Sequence, residues 1–561
     1  MEKRPIEVVL CWHMHQPDYR LKGIYQKPWT LLHALKDYTD MAAHLETVEN
    51  ACAVVNFSSV LIEQLKDYPI RIQGLLENGQ SSGDFLLDAL FDNTSVEQKP
   101  LLEQLLRVNE VRIKDRFPPY ARLFDKTRAA LASGDTLSKE ETGDLLAWYF
   151  IAWMGESMRQ DPLICELSEK AVGFETNDHH RLLDFLARVL GDILPRYRRL
   201  ADSGSVELST TPYSHPILPL LLDFESAHEA MPGAPLPAEK YPGGEPRCEW
   251  HVAESKRVFR DVFGKDPSGC WPSEGSLSPA TMDLLGRHEF RWTASGSQVL
   301  NNSLGQSEAP QPMHPQLGPW RLKGEESPAC FFRDDGMSDL IGFEYSKWPA
   351  EKAVADFKSR IVGLRDECMR SGQGTPVLSI IMDGENAWEY YHQNGWGFLQ
   401  TLYTELVSHP EIRLTTFTEV LNRASQRTLP VLCSGSWVYG TFSTWIGSPA
   451  KNRAWDVLVR AKRAVDAALE PYKEKRERPE WVSDVLRQLA ICEASDWFWW
   501  LGEGDQTVDE AAFDSLFRDQ LARLYTLIGM APPDILSSAI AGKQDGVTSD
   551  AGPSGTMRRS T

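Results

Sequence analysis

A short apolar run that ends in acidic and aromatic residues is the segment best suited to chemistry. Residues 377–382 are few and rich in β-branched side chains, which predicts a buried strand. Asp383 and Glu385 follow directly, and Trp388 comes three residues later. In an α/β barrel, this end of a strand carries the catalytic groups. Acids among flat rings suit a sugar site, although a solvated strand end beside a core aromatic residue is the simpler alternative.

Two histidines follow the first apolar run of the chain and are expected to act together. Residues 6–12 predict a strand, and side chains two positions apart on a strand point to the same side. His13 and His15 therefore face one site, where we expect hydrogen bonds to substrate hydroxyls and an influence on a catalytic acid. Two alternatives stay open. A His-x-His pair also begins many metal sites, which need further ligands from distant segments, and both rings could be structural.

A single glutamate, Glu274, stands between Pro272 and Gly275 after the predicted strand 269–271. A carboxylate on so constrained a turn is suited to act as a nucleophile. It could also lie at the start of the next helix, where the helix dipole favours negative charge, and the two roles are compatible. Asp383 follows another predicted strand. Two carboxyl groups flanking a sugar are the minimum for glycoside hydrolysis, since one attacks the anomeric centre and the other protonates the leaving oxygen.

Three prolines surround one histidine after the predicted strand 206–210. Pro212, Pro216 and Pro219 fix the backbone near His215 as a non-helical turn. We expect His215 to form part of the wall of the same pocket. A turn with a purely structural role is the alternative.

Seven apolar runs predict the strands that would position these residues. Helical patterns lie between several of them, which is typical of parallel βα units. No glycine-rich phosphate-binding turn follows any run, so the pattern favours an α/β barrel over a doubly wound nucleotide-binding sheet. The predicted strands are residues 6–12, 51–57, 206–210, 269–271, 290–294, 329–333 and 377–382.

The chain divides into three predicted regions. Residues 1–430 would form the catalytic barrel, including a mostly helical insertion at about 59–200 with apolar residues at helical spacing. Residues 431–540 show long helical patterns and few strand signals, which predicts a helical domain that completes the active site. Residues 541–561 are rich in Gly, Ser, Thr and Asp, which is typical of a disordered tail.

The composition limits the binding partners and the cellular compartment that we expect for this protein. The 561 residues carry a net charge of −20, which would repel nucleic acid or an anionic membrane but not a neutral sugar. The nine cysteines form no Cys-x-x-Cys pair, and the first residues lack a signal-peptide core, so we expect a reducing, cytoplasmic location. No uninterrupted apolar run approaches the roughly 20 residues of a membrane-spanning helix. The 18 tryptophans leave some rings available for a carbohydrate groove.

Five motifs in order resemble glycoside hydrolase family 57, and most of all its α-amylase-like subgroup. The resemblance implies an α/β fold with an incomplete (β/α)7 barrel and a C-terminal helical bundle. It also implies a retaining mechanism on α-glucans, no cofactor and no required metal. The motifs are His13-Met14-His15-Gln16-Pro17, the Pro-His-Pro stretch at 212–216, Trp271-Pro272-Ser273-Glu274, the run 383–390 and the run 496–500.

By the same resemblance, Glu274 would be the nucleophile and Asp383 the general acid and base. The sugar would be bound by His13, His15, Gln16, His215, Trp271, Trp388, Trp445 and Trp497.

The expected activity is hydrolysis of α-1,4-glucans through a covalent glycosyl-enzyme. That intermediate can also pass to a sugar, so a 4-α-glucanotransferase or a branching enzyme is the first alternative. A non-catalytic glucan-binding protein is a further alternative, as is a metal-dependent deacetylase or hydrolase that uses His13 and His15.

Overall fold

The structure is a computed structural model that describes residues 4–306, 311–323, 327–372, 374–473, 475, 478–502 and 508–540. The tail predicted for residues 541–561 lies outside these ranges. Within them, no helix combines the length and the hydropathy needed to span a lipid bilayer. All nine cysteines are free thiols, and seven of them are buried.

Seven parallel strands form a closed barrel, and each lies where the sequence predicted a strand. Each strand pairs with the next along the chain, and the last pairs with the first over seven residues. The joint between the sixth and seventh strands is one residue pair, Arg333 with Ser379. The strands are Ile6–Met14 (β1), Ala53–Ser58 (β2), Val206–Thr211 (β3), Gly269–Cys270 (β4), Trp292–Gly296 (β5), Ala329–Arg333 (β6) and Val377–Asp383 (β7).

Burial on both faces explains why the strand sequences are almost continuously apolar. All nine residues of β1 are buried. Val9 and Cys11 pack inside the barrel with residues from other strands, whereas Leu10 belongs to the large core outside it. The same alternation turns His13, two positions after Cys11, toward the barrel axis.

One helix fills the barrel end at which the strands begin. Phe417, the first residue of Phe417–Arg423, packs on Trp292 at 4.5 Å and on Phe331 at 4.4 Å between ring centroids. Trp292 is the first residue of β5, which places this contact at the N-terminal end of the strands. The open end therefore lies at the strand C-termini, where the candidate side chains stand.

Short strands border the barrel. Ile412–Leu414 pairs with the start of β1. Trp320–Leu322 pairs antiparallel with β6 and parallel with Arg427–Leu429. Arg20–Leu21 and Ile24–Tyr25 form a hairpin after β1.

Helices occupy the connections. Apart from the connection between β2 and β3, the helices up to residue 408 are Trp29–His33, Thr39–Thr47, Leu218–Leu222, Gly244–Phe263, Pro279–Arg287, Ser297–Gly305, Asp335–Asp339, Ala350–Ser371 and Trp396–Ser408. The connection from β2 to β3 contains Ser59–Asn78, Phe85–Phe91, Gln98–Leu105, Glu110–Lys114, Pro118–Ser133, Lys139–Trp153, Pro162–Lys170 and Thr176–Asp202. The C-terminal helices are Pro449–Leu469, Glu480–Cys492, Ser495–Trp500 and Val508–Leu527.

A buried charge network ties the C-terminal helices to the barrel helix Gly244–Phe263. Glu493 is fully buried, and its carboxylate accepts hydrogen bonds from Arg247 at 2.8 and 2.9 Å and from Tyr241. His251 Nε2 lies 2.7 Å from the same carboxylate. Burial alone would raise the pKa of Glu493, but Arg247 and His251 outweigh it and lower the pKa to about 2.

We predict that Glu493→Gln lowers the free energy of unfolding by about 3–5 kcal/mol, because it leaves the Arg247 charge buried without a counter-charge. This loss of stability should be complete above pH 4.5, the ordinary pKa of a glutamate side chain. It should shrink as the pH falls toward 2, because the carboxyl group of Glu493 then becomes protonated in the native protein as well. Denaturant unfolding followed by circular dichroism measures it. Glu470→Gln, at an exposed ion pair with Lys473, is the matched control and should change stability by less than about 1 kcal/mol. Equal stability of the two variants would contradict the prediction.

Candidate active site

One cavity of about 800 Å³ opens at the C-terminal ends of the barrel strands. Its wall combines residues at or just after the C-terminal ends of β1, β3, β4, β6 and β7 with residues from the β2–β3 connection and the C-terminal helices. Six of the ten residues predicted for the site line this cavity. They are His13, His15, Gln16, His215, Glu274 and Asp383.

Glu274 occupies a strained turn, Ser273–Gly275, which is separated from the end of β4 by Trp271 and Pro272. Its φ of 56° places a non-glycine residue in the left-handed region, which costs about 1–3 kcal/mol. Two hydrogen bonds from Trp437 hold this conformation. The backbone N–H of Trp437 donates to the Glu274 carbonyl at 3.0 Å, and its indole N–H donates to carboxyl Oε2 at 2.9 Å. The turn thereby presents the carboxyl group to the cavity.

Burial controls the charge of Glu274. It raises the pKa of this carboxyl group to about 8, and the negative charges of Asp383 and Asp496 add to the effect. The indole N–H of Trp437 works in the opposite direction, because its hydrogen bond favours the carboxylate. The ionisation of Glu274 is therefore sensitive to every donor that its carboxyl group meets.

Asp383 ends β7 and faces the same cavity. Burial raises the pKa of its carboxyl group, whereas Asn386, His15 and Arg333 favour the charged form. The Asn386 amide donates a hydrogen bond to Oδ2 at 2.8 Å. Two carboxyl groups in one poorly solvated cavity resist being charged together, so this pair favours holding one proton. A nucleophile and a proton donor need this shared state.

His13 and His215 form a buried polar contact beside Glu274. Nδ1 of His13 lies 2.7 Å from Asn56 Oδ1, and its Nε2 lies 3.1 Å from His215 Nε2. Nδ1 of His215 lies 2.8 Å from Ser495 Oγ and 3.9 Å from Glu274 Oε1. Burial lowers the pKa of His13 to about 3 and that of His215 well below its usual value. Both rings are therefore neutral at pH 7, with one N–H and one bare nitrogen each.

His15 stacks on His215 with ring centroids 3.8 Å apart and an interplanar angle of 13°. Its Nδ1 lies 2.8 Å from Ser58 Oγ, and its Nε2 lies 3.1 and 3.2 Å from the two carboxylate oxygens of Asp496. Ligand atoms of His15, His215 and Asp496 fall within 4.8 Å of one another, a spacing that could hold a metal ion. However, lone pairs that lie in two parallel stacked ring planes do not converge on one ion. The arrangement suits a hydrogen-bonding wall better than a metal site.

Glu385 supports His15 and Gln16, the two site residues that follow β1. It is buried, and its Oε1 accepts hydrogen bonds from Gln16 Nε2 at 3.1 Å and from the His15 backbone N–H at 3.3 Å. Burial raises the pKa of its carboxyl group well above the usual value. Glu385 thus fixes the position of Gln16 and His15 without adding a full negative charge to the cavity.

Two predicted sugar-binding tryptophans lie behind the cavity wall, which corrects the prediction that they line it. Trp271 is fully buried, and its ring packs edge-on against Trp437 with centroids 5.1 Å apart. Trp388 is also buried. Its indole N–H donates to the Gly384 carbonyl at 2.8 Å, and its ring packs on Trp12 with centroids 5.8 Å apart. Both rings support residues that line the cavity and do not reach it themselves.

The same correction applies to Trp445 and Trp497, which are buried among the C-terminal helices and do not line the cavity. The indole N–H of Trp497 donates to the Ile491 carbonyl at 2.6 Å, and its ring stacks on Phe517 at 5.8 Å. For Trp497, this hydrogen bond removes the cost of burying the indole N–H with the ring.

Five other tryptophans line the cavity and were not among the residues predicted to bind sugar: Trp29, Trp153, Trp437, Trp499 and Trp500. In the helix Ser495–Trp500, residues 496, 499 and 500 share one face, because positions three and four apart are neighbours on a helix. Trp497 points away from that face. Applying the helical period to this motif would have identified Asp496, Trp499 and Trp500 from the sequence.

The connection between β2 and β3 contributes a polar edge of the cavity through Arg107, Val108 and Asn109. Nη1 of Arg107 donates to Asp509 Oδ1 at 2.8 Å, which joins this edge to the C-terminal helix Val508–Leu527. Asn109 Nδ2 donates to the Glu389 carbonyl at 3.2 Å. No sequence pattern marks this loop as part of a site.

Comparison with known structures shows the same fold in carbohydrate-active enzymes. A family 57 branching enzyme from Thermococcus kodakarensis, crystallised with glucose, has a TM-score of 0.56 at 17% identity, over 93% of this chain and 90% of that one. The α-amylase AmyC from Thermotoga maritima has a TM-score of 0.58 at 13% identity, over 94% and 93%. For 4-α-glucanotransferase from Thermococcus litoralis the values are 0.50 and 13%, over 93% and 60%. At these identities the likeness concerns the fold alone.

Sequence comparison identifies the family. The 1,4-α-glucan branching enzyme of Thermococcus kodakarensis is 30% identical over 125 residues, which are 22% of this chain and only 15% of that enzyme. The family model described as glycosyl hydrolase family 57 matches residues 9–433. Since that match spans most of the chain, the protein belongs to glycosyl hydrolase family 57.

Proposed function

We propose that the protein cleaves α-1,4-linked glucans with retention of configuration, through a covalent glycosyl-enzyme. One observation carries the proposal: the carboxyl groups of Glu274 and Asp383 face a single cavity, and burial raises the pKa of Asp383, the group that must hold a proton. Neutral histidines and tryptophan rings complete the wall. This combination suits an uncharged sugar whose bond is broken by a nucleophile and a proton donor.

In the first step, the Glu274 carboxylate attacks the anomeric carbon while Asp383 gives its proton to the glycosidic oxygen. The bond to the leaving sugar breaks as the ester bond to Glu274 forms. In the second step, Asp383 takes a proton from the acceptor hydroxyl, which attacks the anomeric carbon and releases Glu274. Two inversions at one carbon leave the α configuration unchanged.

Water is the acceptor in our first proposal, which makes the protein an α-amylase-like hydrolase of maltodextrin, glycogen or starch-like chains. Transfer to another sugar is the second candidate, as in a 4-α-glucanotransferase or a branching enzyme. It is favoured by the local sequence identity to a 1,4-α-glucan branching enzyme and by the tryptophan rings of the cavity, since Trp437, Trp499 and Trp500 offer flat surfaces for an acceptor sugar. A non-catalytic glucan-binding role is less well supported, because binding alone does not require paired carboxyl groups.

Glu274→Gln is expected to abolish turnover of maltooligosaccharides, because an amide is not an effective nucleophile. Asp383→Asn should lower kcat by about 10²–10⁴-fold through loss of the proton donor. Initial rates of product release measure both, and NMR of the first product should show the α anomer. Glu225→Gln, at an exposed residue outside the cavity wall, is the control. Full activity of Glu274→Gln, or a β anomer formed first, would overturn the assignment.

Trp437→Phe is expected to move the acidic limb of the kcat/KM–pH profile to higher pH. Activity needs charged Glu274, whose pKa is already raised to about 8 while Trp437 donates to it. A hydrogen bond to a charged group is worth about 1.5–3 kcal/mol, so its loss corresponds to a shift of about 1–2 pH units. Trp499→Phe, which shortens another cavity indole, is the matched control and should leave the limb in place. If the acidic limb lies at the same pH in both variants, Trp437 does not control the ionisation of Glu274 and the prediction is wrong.

Incubation with one pure maltooligosaccharide separates the two candidate functions. A hydrolase yields only shorter chains, whereas a transferase also yields longer ones. Maltoheptaose products separated by chromatography over a time course give the result, and treatment with a debranching enzyme reveals α-1,6 branches. Longer chains at early times would replace hydrolysis with transfer as the proposed function.

A further inference from the structure

The connection between β2 and β3 closes the cavity beside the end of β7. Asn109 Nδ2 donates to the Glu389 carbonyl at 3.2 Å, and Arg112 Nη2 donates to the Tyr390 carbonyl at 2.6 Å. Asn109, Trp153 and Glu389 also line a second cavity of about 40 Å³, so these residues separate the two cavities. A glucan chain longer than the main cavity therefore meets a wall on the β7 side.

The segment 435–441 leads from the cavity to the protein surface on another side. Gly435 pairs with Leu277, after β4, through two backbone hydrogen bonds of 2.8 and 3.0 Å. Gly296 ends β5 and packs under Trp437, since a Cβ at this glycine would lie 2.7 Å from the Trp437 Cα. Around the closed barrel, β4 and β5 are the two strands farthest from β1, whereas β7 is a neighbour of β1. A long chain can therefore leave the cavity along this segment.

Tyr439 stands where this segment reaches solvent. It directly follows Trp437 and Val438, which line the cavity, and it is 40% exposed. Among the described residues, no aromatic ring packs on it and no group hydrogen-bonds to its hydroxyl. A single exposed ring is ordinary on a protein surface, so exposure alone does not indicate a site. The backbone beneath the ring gives a stronger indication.

A tight turn contains Tyr439 in an unfavourable conformation. The N–H of Thr441 donates to the Val438 carbonyl at 3.3 Å, and the two central residues, Tyr439 and Gly440, have φ angles of 58° and 67°. Positive φ at both central positions is the pattern of a type I′ turn, which favours asparagine followed by glycine. Gly440 satisfies that preference, whereas a tyrosine at the first position is strained.

Neighbouring side chains enforce this turn. The N–H of Val438 donates to the buried Ser436 Oγ at 3.1 Å, and the same hydroxyl group donates to the Thr441 carbonyl at 2.7 Å. Asn302 Nδ2 donates to the Gly440 carbonyl at 3.1 Å. Backbone strain that the surroundings impose in this way is typical of ligand-binding segments. Because the backbone under the ring is already fixed, a ligand that stacks there loses little binding energy to ordering it.

An exposed amide group lies beside the same turn. Gln298 belongs to the helix Ser297–Gly305, and a Cβ at Gly440 would lie 2.7 Å from the Gln298 Cβ. The Gln298 side chain is exposed and forms no hydrogen bond with the described residues. An amide group both donates and accepts hydrogen bonds, as sugar hydroxyl groups do. A flat ring beside such an amide matches a glucosyl unit, which has an apolar face and a polar edge.

We propose that Tyr439 forms an outer sugar-binding subsite, where a glucan chain leaving the cavity stacks one glucosyl unit on the exposed ring. Gln298 hydrogen-bonds to the hydroxyl groups of that unit. Tyr439 makes no contact with the bond being broken, so it determines how well long chains bind and is not a catalytic residue. The inference rests on the proposed function, because it assigns the path of the α-1,4-glucan chain outside the cavity.

Tyr439→Ala should raise KM for short-chain amylose by about 3–10-fold relative to KM for the shortest maltooligosaccharide that is turned over, because one stacked ring contributes that much to binding. The kcat for amylose should not change. Tyr439→Phe keeps the ring and should restore the native KM ratio. Trp348→Ala removes another exposed ring, outside the cavity wall, and is the matched control. An equal change of KM for both substrates in Tyr439→Ala would overturn the proposal.

Tyr439→Asn separates a binding role from a structural role. Asparagine is favoured at this position of a type I′ turn, so the variant should unfold at the same Tm as the native protein or at a higher one. The KM ratio should nevertheless rise as in Tyr439→Ala, because the ring is lost. Calorimetry gives Tm. A lower Tm together with a uniform loss of activity on both substrates would mean that the ring only supports the fold, and the proposal would be wrong.

Binding measured without turnover distinguishes this inference from the proposed function. In the Glu274→Gln background, titration calorimetry with short-chain amylose should show a Kd raised about 3–10-fold when Tyr439→Ala is added. An unchanged Kd would overturn the subsite, even if the native protein cleaves α-glucans. Absence of turnover of every α-glucan by the native protein would overturn the proposed function, whereas a raised Kd would still support the subsite.

Discussion

The cost of charging a carboxyl group away from water governs the whole site. Burial raises the pKa values of Glu274, Asp383 and Glu385, and it lowers those of His13 and His215. Neutral hydrogen-bonding groups therefore surround Glu274, whereas ion pairs such as Arg107–Asp509 lie elsewhere in the cavity wall. An uncharged sugar enters such a cavity without displacing counter-ions, and any charge that develops during reaction is felt strongly because little solvent screens it.

Distant parts of the chain have to meet for this site to exist. β1 supplies His13, β4 leads into Glu274 and β7 ends in Asp383, but the indole that donates to Glu274 belongs to Trp437, which lies after the last barrel strand. The buried Glu493 carboxylate anchors the segment that contains Ser495 and Asp496 against a barrel helix. The stability of the fold and the geometry of the candidate site therefore depend on the same few residues at the junction between barrel and helices.

Strand positions and the carboxyl pair could be predicted because they depend on local patterns. A short apolar run ending in polar residues has few structural interpretations in a parallel barrel, and all seven such runs became strands. The roles of the tryptophans could not be assigned from residue type alone. A tryptophan in the core and a tryptophan in the cavity wall look the same in the sequence. Trp497 and Trp499 are two residues apart and face opposite sides. Arg107 and Asn56 have no motif, and only tertiary packing brings them to the site.

The joint between β6 and β7 has a mechanical consequence for Asp383, the proposed proton donor. Beside the single backbone pair, a side chain completes the connection, because Arg333 Nε donates to the Ile381 carbonyl at 2.8 Å. Along β1, by contrast, β7 is held by regular pairing over seven residues. Asp383 is thus carried on a strand that is rigid on one side and compliant on the other. Small displacements of β7 away from β6 cost few hydrogen bonds, so the barrel wall can adjust its width beside Asp383.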